Sequence, residues 1–254
     1  MVARVKAELL AFWSSLGGRP LGPLIIFVGG GLSLFSYEYA GSSHFFTHFI
    51  ARHLFPDLSP RNIEAGSYLY WFGSAFPLLI LLPVALARLA GRVDGRSGGG
   101  SLGLSAGNWR LGLSLSGLFY AVMLPILFAI VWTSDFQDYY PIYSDADRSL
   151  RMFLVYELSY FVYFVAWEFF FRGFLTFTLE PTLGGWVVFV QMLPFMCMHF
   201  GKPAAEAASS IAGGLALGWL AIRTRSIWYG VVVHGATAVT LDLMVVAVKH
   251  WRPG

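Results

Sequence analysis

Long runs of apolar residues, separated by short polar segments, dominate the chain. Seven such runs are compatible with the roughly 20 residues that a helix needs to cross a bilayer. They lie near residues 22–39, 67–90, 112–133, 150–171, 183–200, 207–222 and 227–248, and the fifth and sixth are short and rich in glycine. Because only helices and closed barrels can span lipid, this pattern predicts an all-α fold, a polytopic transmembrane bundle of about seven helices.

The runs divide the chain into two regions. The first, residues 1–149, is predicted to be an N-terminal membrane region with an interfacial helix in residues 1–20 and about three spans. Its first apolar run is long and is not followed by a small-residue cleavage site, which favours a retained signal anchor. Residues 95–107 are rich in Gly and Ser and are predicted to be a flexible linker inside this region. The second region, residues 150–248, carries the polar residues discussed below.

Composition supports a membrane protein. The chain is 57% hydrophobic and 12% charged, whereas a soluble domain has about 25% charged residues. The net charge of +3 is small and the basic residues are scattered, so the lipid bilayer is a predicted partner and nucleic acid is not. The single cysteine, Cys197, excludes an internal disulfide and a cysteine-rich metal site.

The short loops predict the orientation, because Lys and Arg near the spans favour the cytoplasm. An acidic loop at residues 135–147 falls on the opposite side from most of the arginines. The chain is therefore expected to lie in the cytoplasmic membrane with its N-terminus inside. The basic residues on the inner side are those of the N-terminal segment with Arg88, Arg92, Arg96, Arg110, Arg172, Arg223 and Arg225.

One charged pair interrupts the aromatic stretch of residues 164–173. Glu168 and Arg172 are four positions apart, so they share a helical face with the acid on the N-terminal side. Ionisable residues inside a hydrophobic span are costly, which indicates a functional site. The alternative is an ion pair that only locks two helices together.

Two histidines also fall inside or at the end of a span. His199 ends the fifth run, where a lone histidine is more often an interfacial hydrogen-bonding group, whereas His234 lies two turns into the seventh run. Asp242 follows His234 on nearly the same helical face. Glu206 opens the sixth run, where an acid commonly complements the helix dipole.

A carboxylate and two imidazoles on three spans can activate a water molecule. One of them serves as general base and another stabilises an oxyanion, or all three hold a zinc ion with an open position. The residues alone therefore point to hydrolysis within the bilayer and leave the metal undecided.

Three motifs carry a resemblance to a known family. They are Glu168-Phe-Phe-Phe-Arg172-Gly, Phe195-x-x-x-His199 and the late His234. In order and spacing they resemble the CPBP family of CAAX-prenyl and bacteriocin-processing intramembrane proteases, over roughly residues 150–245. The resemblance implies that residues 150–248 form the protease core and that the substrate is a membrane protein or peptide, a prenylated CAAX-type chain being one option. Peptide recognition is expected in a cavity beside the fourth span, where many Phe and Tyr side chains could contact an apolar chain, and core packing explains those aromatics equally well.

The resemblance assigns roles to the motif residues. In the family, the leading glutamate of Glu-Glu-x-x-x-Arg and the second-motif histidine activate the water, while the last histidine and an asparagine hold the oxyanion. Glu168 matches the second glutamate of that motif, but Trp167 stands at the leading glutamate and Ala238 at the asparagine. A shift of one helical position turns a side chain by about 100°, so Glu168 cannot simply replace its neighbour.

Three functions are therefore compared. The first is an intramembrane endopeptidase in which Glu168 and His199 activate water and His234 holds the oxyanion or a metal, with zinc as the candidate. Arg172, Glu206 and Asp242 complete the candidate catalytic set, the last two as a substitute carboxylate or as groups that orient an imidazole; no cofactor-binding residue is assigned. The second is a catalytically degenerate scaffold or immunity-type protein, favoured by Trp167 and Ala238. The third, a proton-coupled transporter, lacks the inverted repeat expected of one.

Overall fold

A computed structural model gives the structure of the protein and describes residues 1, 4–8, 11, 21–95 and 101–251. Most of the predicted interfacial helix and the middle of the predicted 95–107 linker lie outside these residues. The described residues are mainly helical and contain no strand, so the predicted all-α class is confirmed.

Nine helices of the described residues carry the fold. The central one, α6, covers residues 150–183 and consists of Leu150–Glu168, a π-helical segment Phe169–Thr176 and a last part Phe177–Leu183. The others are α1 (Gly22–Ala40), α2 (Ser43–Leu54), α3 (Pro60–Val93), α4 (Trp109–Ile130), α5 (Ser134–Tyr139), α7 (Val187–Cys197), α8 (Ala204–Thr224) and α9 (Trp228–Trp251). Two short 3₁₀ turns, Ala146–Arg148 and Gly184–Trp186, precede α6 and α7.

The number of candidate spans differs from the predicted seven. Five helical stretches of the described residues are long and apolar enough to cross, or up to six if α1 and α2, bent by 44°, form one span. The fourth and fifth predicted runs join in one continuous stretch, Leu150–Cys197, of 48 residues. A straight helix of that length would measure about 72 Å, far more than a bilayer. The backbone of Gly184, with φ 55°, turns the chain between α6 and α7.

Helix α6 lies at the centre of the bundle. In the apolar 18-residue window of the stretch Leu150–Cys197, which contains α6, 61% of the residues are buried, against 11–39% in the other four stretches. Phe169, Phe170 and Phe171 follow one another and are all buried. Consecutive helical positions point about 100° apart, so three buried neighbours require helices on every side. Helices α1 and α3, the α7–α8 hairpin, and α9 backed by α4 supply these neighbours.

Polar contacts join the loops at one end of the bundle. The Gly22 backbone N–H donates to Asp94 Oδ1 at 2.8 Å and closes the start of α1 onto the end of α3. The Asn108 N–H donates to the Thr224 carbonyl at 2.9 Å. Beside it, Gly107 has φ 53°, and a Cβ there would lie 1.9 Å from the same carbonyl, so this close approach requires glycine.

Candidate active site

The Glu168–Arg172 pair joins three helices. Glu168 is the last residue of the α-helical part of α6, and its side chain is 0% exposed. Oε2 lies 3.2 Å from Arg172 Nε on the same helix, and Oε1 lies 2.7 Å from His234 Nδ1 on α9. The Arg172 guanidinium also stacks 4.1 Å from the Phe195 ring of α7. The predicted pair therefore forms inside one helix and connects that helix to α7 and α9.

Arg172 was counted among the basic residues of the cytoplasmic loops, and its position in the structure corrects that assignment. Its side chain is 0% exposed and lies in the middle of the bundle, not in a loop. It also lies in the π-helical segment, where Thr176 Oγ1 donates to the Phe171 carbonyl five residues earlier at 2.8 Å. Wide turns of this kind are frequent at functional sites. Arg172 thus gives no information on which loops face the cytoplasm.

His234 has a fixed tautomer. Its Nδ1–H donates to the Glu168 carboxylate, which leaves Nε2 with a free lone pair. The side chain is 17% exposed, and the ring packs 4.3 Å from the ring of Phe164 on α6. A carboxylate on one nitrogen of an imidazole orients the other nitrogen toward its reaction partner.

His199 follows the end of α7 and is fixed in a similar way. Its Nδ1–H donates to the Phe195 carbonyl at 2.8 Å, so Nε2 is again the free nitrogen. Burial, and then the charge of Lys202, lowers the pKa of His199 to about 3, so the ring is neutral at physiological pH. The Phe195 ring lies between the two imidazoles, 4.6 Å from His199 and 5.8 Å from His234. The structure therefore brings the predicted Glu168, His199 and His234 together.

A cavity of about 60 Å³ reaches both imidazoles. The aromatic stripe of α6 forms one wall, with Tyr160, Tyr163 and Trp167 three to four positions apart. This cavity lies beside the fourth predicted span, where peptide recognition was expected. The carboxylate of Glu168 does not line it, since that side chain is fully buried behind His234.

Sequence reasoning missed the opposite wall of the cavity. Tyr37 and Glu38 from α1, Trp71 from α3 and Lys202 from the α7–α8 loop all line it. None of the predicted site residues lies in the first three predicted spans. Glu38, an acid two residues before the end of α1, was the available signal.

Comparison with protein-family models finds one match. Residues 149–240 match the family described as "Type II CAAX prenyl endopeptidase Rce1-like". Residues 149–240 belong to the CAAX protease (CPBP) family. The resemblance identified from the three motifs is thereby confirmed over almost the same residues. Searches of curated proteins and of solved structures each gave no match.

Relative to the CAAX protease pattern, Trp167 and Ala238 remain the two departures. The Trp167 indole fills the place of the leading glutamate and packs against Phe171, at 5.1 Å, and Phe195, at 6.3 Å. Ala238 packs against the main hydrophobic core. Neither position brings a carboxylate or an amide to the cavity.

Glu206 and Asp242 contact polar groups other than the two imidazoles. Glu206 accepts hydrogen bonds from Lys202 at 2.7 Å and from Tyr140 at 2.6 Å, and it does not line the cavity. Asp242 is fully buried against Glu157 and the Tyr156 hydroxyl. Among the contacts of the described residues, neither carboxyl hydrogen-bonds to an imidazole. The role of Glu206 and Asp242 as a substitute carboxylate, or as groups that orient an imidazole, therefore stays a prediction.

The residues of this site do not fit a zinc centre. A catalytic zinc takes three protein ligands and an open position. The described residues contain no group of three or more His, Cys, Asp and Glu side chains arranged to hold a metal. The Glu168 carboxylate and Nδ1 of both imidazoles are already engaged in hydrogen bonds or an ion pair. No step of the mechanism below uses a metal.

The absence of a side chain at Gly230 on α9 leaves room for the Glu168 carboxylate. A Cβ at this α9 position would lie 2.7 Å from Glu168 Oε2. We expect Gly230→Ala to displace the carboxylate and to lower peptide cleavage by about 10²-fold, because small misplacements of catalytic groups have effects of that size. The control is Gly213→Ala on α8, where a Cβ meets no atom within 4 Å. Equal rates for the two variants, measured in detergent or nanodiscs, would contradict the role given to Gly230.

Proposed function

We propose that this multi-pass membrane protein is an intramembrane endopeptidase that hydrolyses a peptide bond of a membrane-associated substrate. The observation that supports this most is the 2.7 Å hydrogen bond between Glu168 and His234, which leaves Nε2 of His234 free on a ring that lines the same cavity as His199. Two imidazoles with free Nε2 atoms beside one small cavity suit a water molecule that must lose a proton.

In this proposal His234 is the general base. When Nε2 takes a proton from water, the ring becomes an imidazolium, and the Glu168 carboxylate on Nδ1 stabilises that charge. Arg172 keeps Glu168 ionised in an apolar surrounding through a charge-assisted contact. The hydroxide adds to the scissile carbonyl carbon. The proton on His234 then passes to the leaving amine nitrogen as the C–N bond breaks.

His199 positions the attacking water in the same scheme. Its neutral Nε2 accepts the second hydrogen of the water, which directs an oxygen lone pair at the substrate carbonyl. Nδ1 of His199 donates to a backbone carbonyl and not to a carboxylate, so no anion on that ring stabilises the imidazolium that a base becomes. The proposal therefore gives Glu168 the role of a positioning residue, whereas the endopeptidase hypothesis drawn from the sequence has Glu168 and His199 activate the water.

The two imidazoles provide the test of this function. We expect His234→Gln and His199→Gln to lower cleavage by about 10²- to 10⁴-fold, since each removes a group that handles the water. The protein would be reconstituted in nanodiscs with a farnesylated CAAX peptide and its unprenylated form, and the products identified by mass spectrometry. His44→Gln, an exposed histidine on α2, is the matched control. Wild-type protein that cleaves neither peptide, nor any member of a membrane-peptide library, would contradict the function.

A catalytically degenerate scaffold is the second candidate. It is favoured by the Trp167 indole, which fills the place of a motif carboxylate, and by Ala238. If the chain is a scaffold, the His234→Gln variant should restore its biological role in a deletion strain as well as the wild-type protein does. If the chain is an endopeptidase, the same variant should lose both cleavage and that biological role.

We also propose that the chain lies in the cytoplasmic membrane with its N-terminus inside. Arg110, Arg223 and Arg225 adjoin the loops that the Asn108–Thr224 hydrogen bond brings together. Single cysteines would be introduced, in a Cys197→Ser background, at exposed positions of the loops at each end of the helix bundle. Cysteines at opposite ends of the bundle should react with an impermeant maleimide from opposite sides of the membrane.

A further inference from the structure

The indole N–H of Trp167 is a buried donor without an acceptor. The side chain is 5% exposed, and Nε1 has no hydrogen-bond partner among the described residues. Buried polar groups in proteins are almost always bonded, and exceptions often mark functional positions. A phenylalanine at this position would fill the same aromatic surroundings without leaving a donor unbonded.

The location of Trp167 points to the acceptor. The side chain lines the cavity that His199 and His234 also line. Its ring stands at 72° to the His199 ring with the centroids 6.3 Å apart. A substrate carbonyl in this cavity would therefore come close to the indole as well as to the two imidazoles.

Other donors line the cavity, namely the hydroxyls of Tyr37, Tyr160 and Tyr163 and the indole of Trp71. Among the ring contacts of the described residues, however, Trp167 is the one of these donors that packs against an imidazole of the site. Both imidazoles direct their Nδ1–H groups elsewhere, to Glu168 and to the Phe195 carbonyl. Lys202 is bonded to Glu206 at 2.7 Å, and residue 238 is an alanine. Acyl transfer needs a donor aimed at the oxygen on which negative charge develops.

We propose that the Trp167 N–H donates to the carbonyl oxygen of the scissile peptide bond and stabilises the oxyanion that forms there. This assignment rests on the proposed function. An indole is a donor only and does not ionise, so it cannot act as the base that a glutamate would be at the same position. The N–H is covered in the substrate-free structure, so the substrate reaches it by turning the indole or displacing a neighbouring ring. Trp167 is then a catalytic residue, and the chain replaces the amide lost at Ala238 from another helix.

Removing only the N–H tests this role. We would place 3-benzothienylalanine at position 167, which keeps the bicyclic ring and replaces N–H by sulfur, and prepare Trp167→Phe in parallel. We expect kcat to fall by about 10²- to 10³-fold with little change in KM. Trp219→Phe on α8, a partly exposed tryptophan outside the cavity, is the control. An unchanged kcat for the benzothienyl protein would overturn the proposal and leave the endopeptidase function intact.

A second measurement does not depend on turnover. In wild-type protein with ¹⁵N-labelled indoles, the Nε1–H resonance of Trp167 is the one missing from the benzothienyl protein. A peptidyl phosphinate, in which a tetrahedral phosphinate replaces the scissile amide, should move that resonance downfield and leave Trp219 unchanged. A shift without any wild-type cleavage would support the donor and reject the endopeptidase. No shift at saturating phosphinate would reject the role of the Trp167 N–H as a donor to the oxyanion. That result is also the one expected if the N–H binds only a water molecule.

Discussion

Glu168→Gln should lower peptide cleavage by about 10³- to 10⁴-fold in a protein that still folds. Glutamine keeps the size of the side chain but loses the charge that stabilises the His234 imidazolium. Its amide can also present an N–H to Nδ1, which would force the wrong tautomer and place the proton on Nε2, where the water must be activated. The expected result is a loss in kcat/KM, measured in nanodiscs, with normal detergent extraction and thermal unfolding.

The same helix contains a matched control. Glu180 lies in the last part of α6 and also pairs with an arginine, Arg225, at 2.6 Å, but at the surface of the bundle. Glu180→Gln should retain nearly full activity, because an exposed ion pair contributes little. If Glu168→Gln lost no more activity than Glu180→Gln, Glu168 would not act on the catalytic base.

Arg172→Met should have the largest effect on stability. The guanidinium and the Glu168 carboxylate are both 0% exposed, so the substitution leaves a buried carboxylate whose remaining hydrogen-bond partner among the described residues is His234. Breaking a buried pair by removing one partner typically lowers the free energy of unfolding by about 3–5 kcal/mol. The loss would be measured as reduced resistance to thermal or denaturant unfolding in detergent.

A double variant separates charge burial from packing. Arg172→Met combined with Glu168→Gln removes both charges, and we expect it to recover much of the stability lost by Arg172→Met and none of the activity. Arg225→Met, which breaks the surface pair with Glu180, should change the free energy of unfolding by about 0–1 kcal/mol. A double variant as unstable as Arg172→Met would show that the lost guanidinium packing on Phe195, not the unpaired carboxylate, causes the effect.

Much of the fold followed from local rules. Apolar runs of bilayer length predicted a helical membrane bundle, and the i, i+4 spacing predicted the Glu168–Arg172 pair, since both depend on the period of one helix. The predicted division between the fourth and fifth runs, residues 150–171 and 183–200, adjoins the turn at Gly184. The count of candidate spans is lower than seven partly because the two helices that meet at this turn form one continuous helical stretch.

The roles within the site needed the tertiary structure. The sequence brought Glu168, His199 and His234 into one hypothesis but assigned the water to Glu168, whose carboxylate proved to face His234 and Arg172. Glu206 and Asp242 had helical positions compatible with a role, yet they face Lys202 and Glu157.

The stretch around Glu168 illustrates what the sequence determined by itself and what only the tertiary structure decided. By itself the sequence determined that a costly charged pair sits in an aromatic helix, that two histidines accompany it on other spans, and that Trp167 and Ala238 break the family pattern. Helical periodicity fixes such relations within one helix, whereas the facing of different helices depends on how they pack. Only the packing of α9 on α6 decided that Glu168 holds His234, and only the packing of α1 and α3 decided that Glu38 and Trp71 complete the cavity.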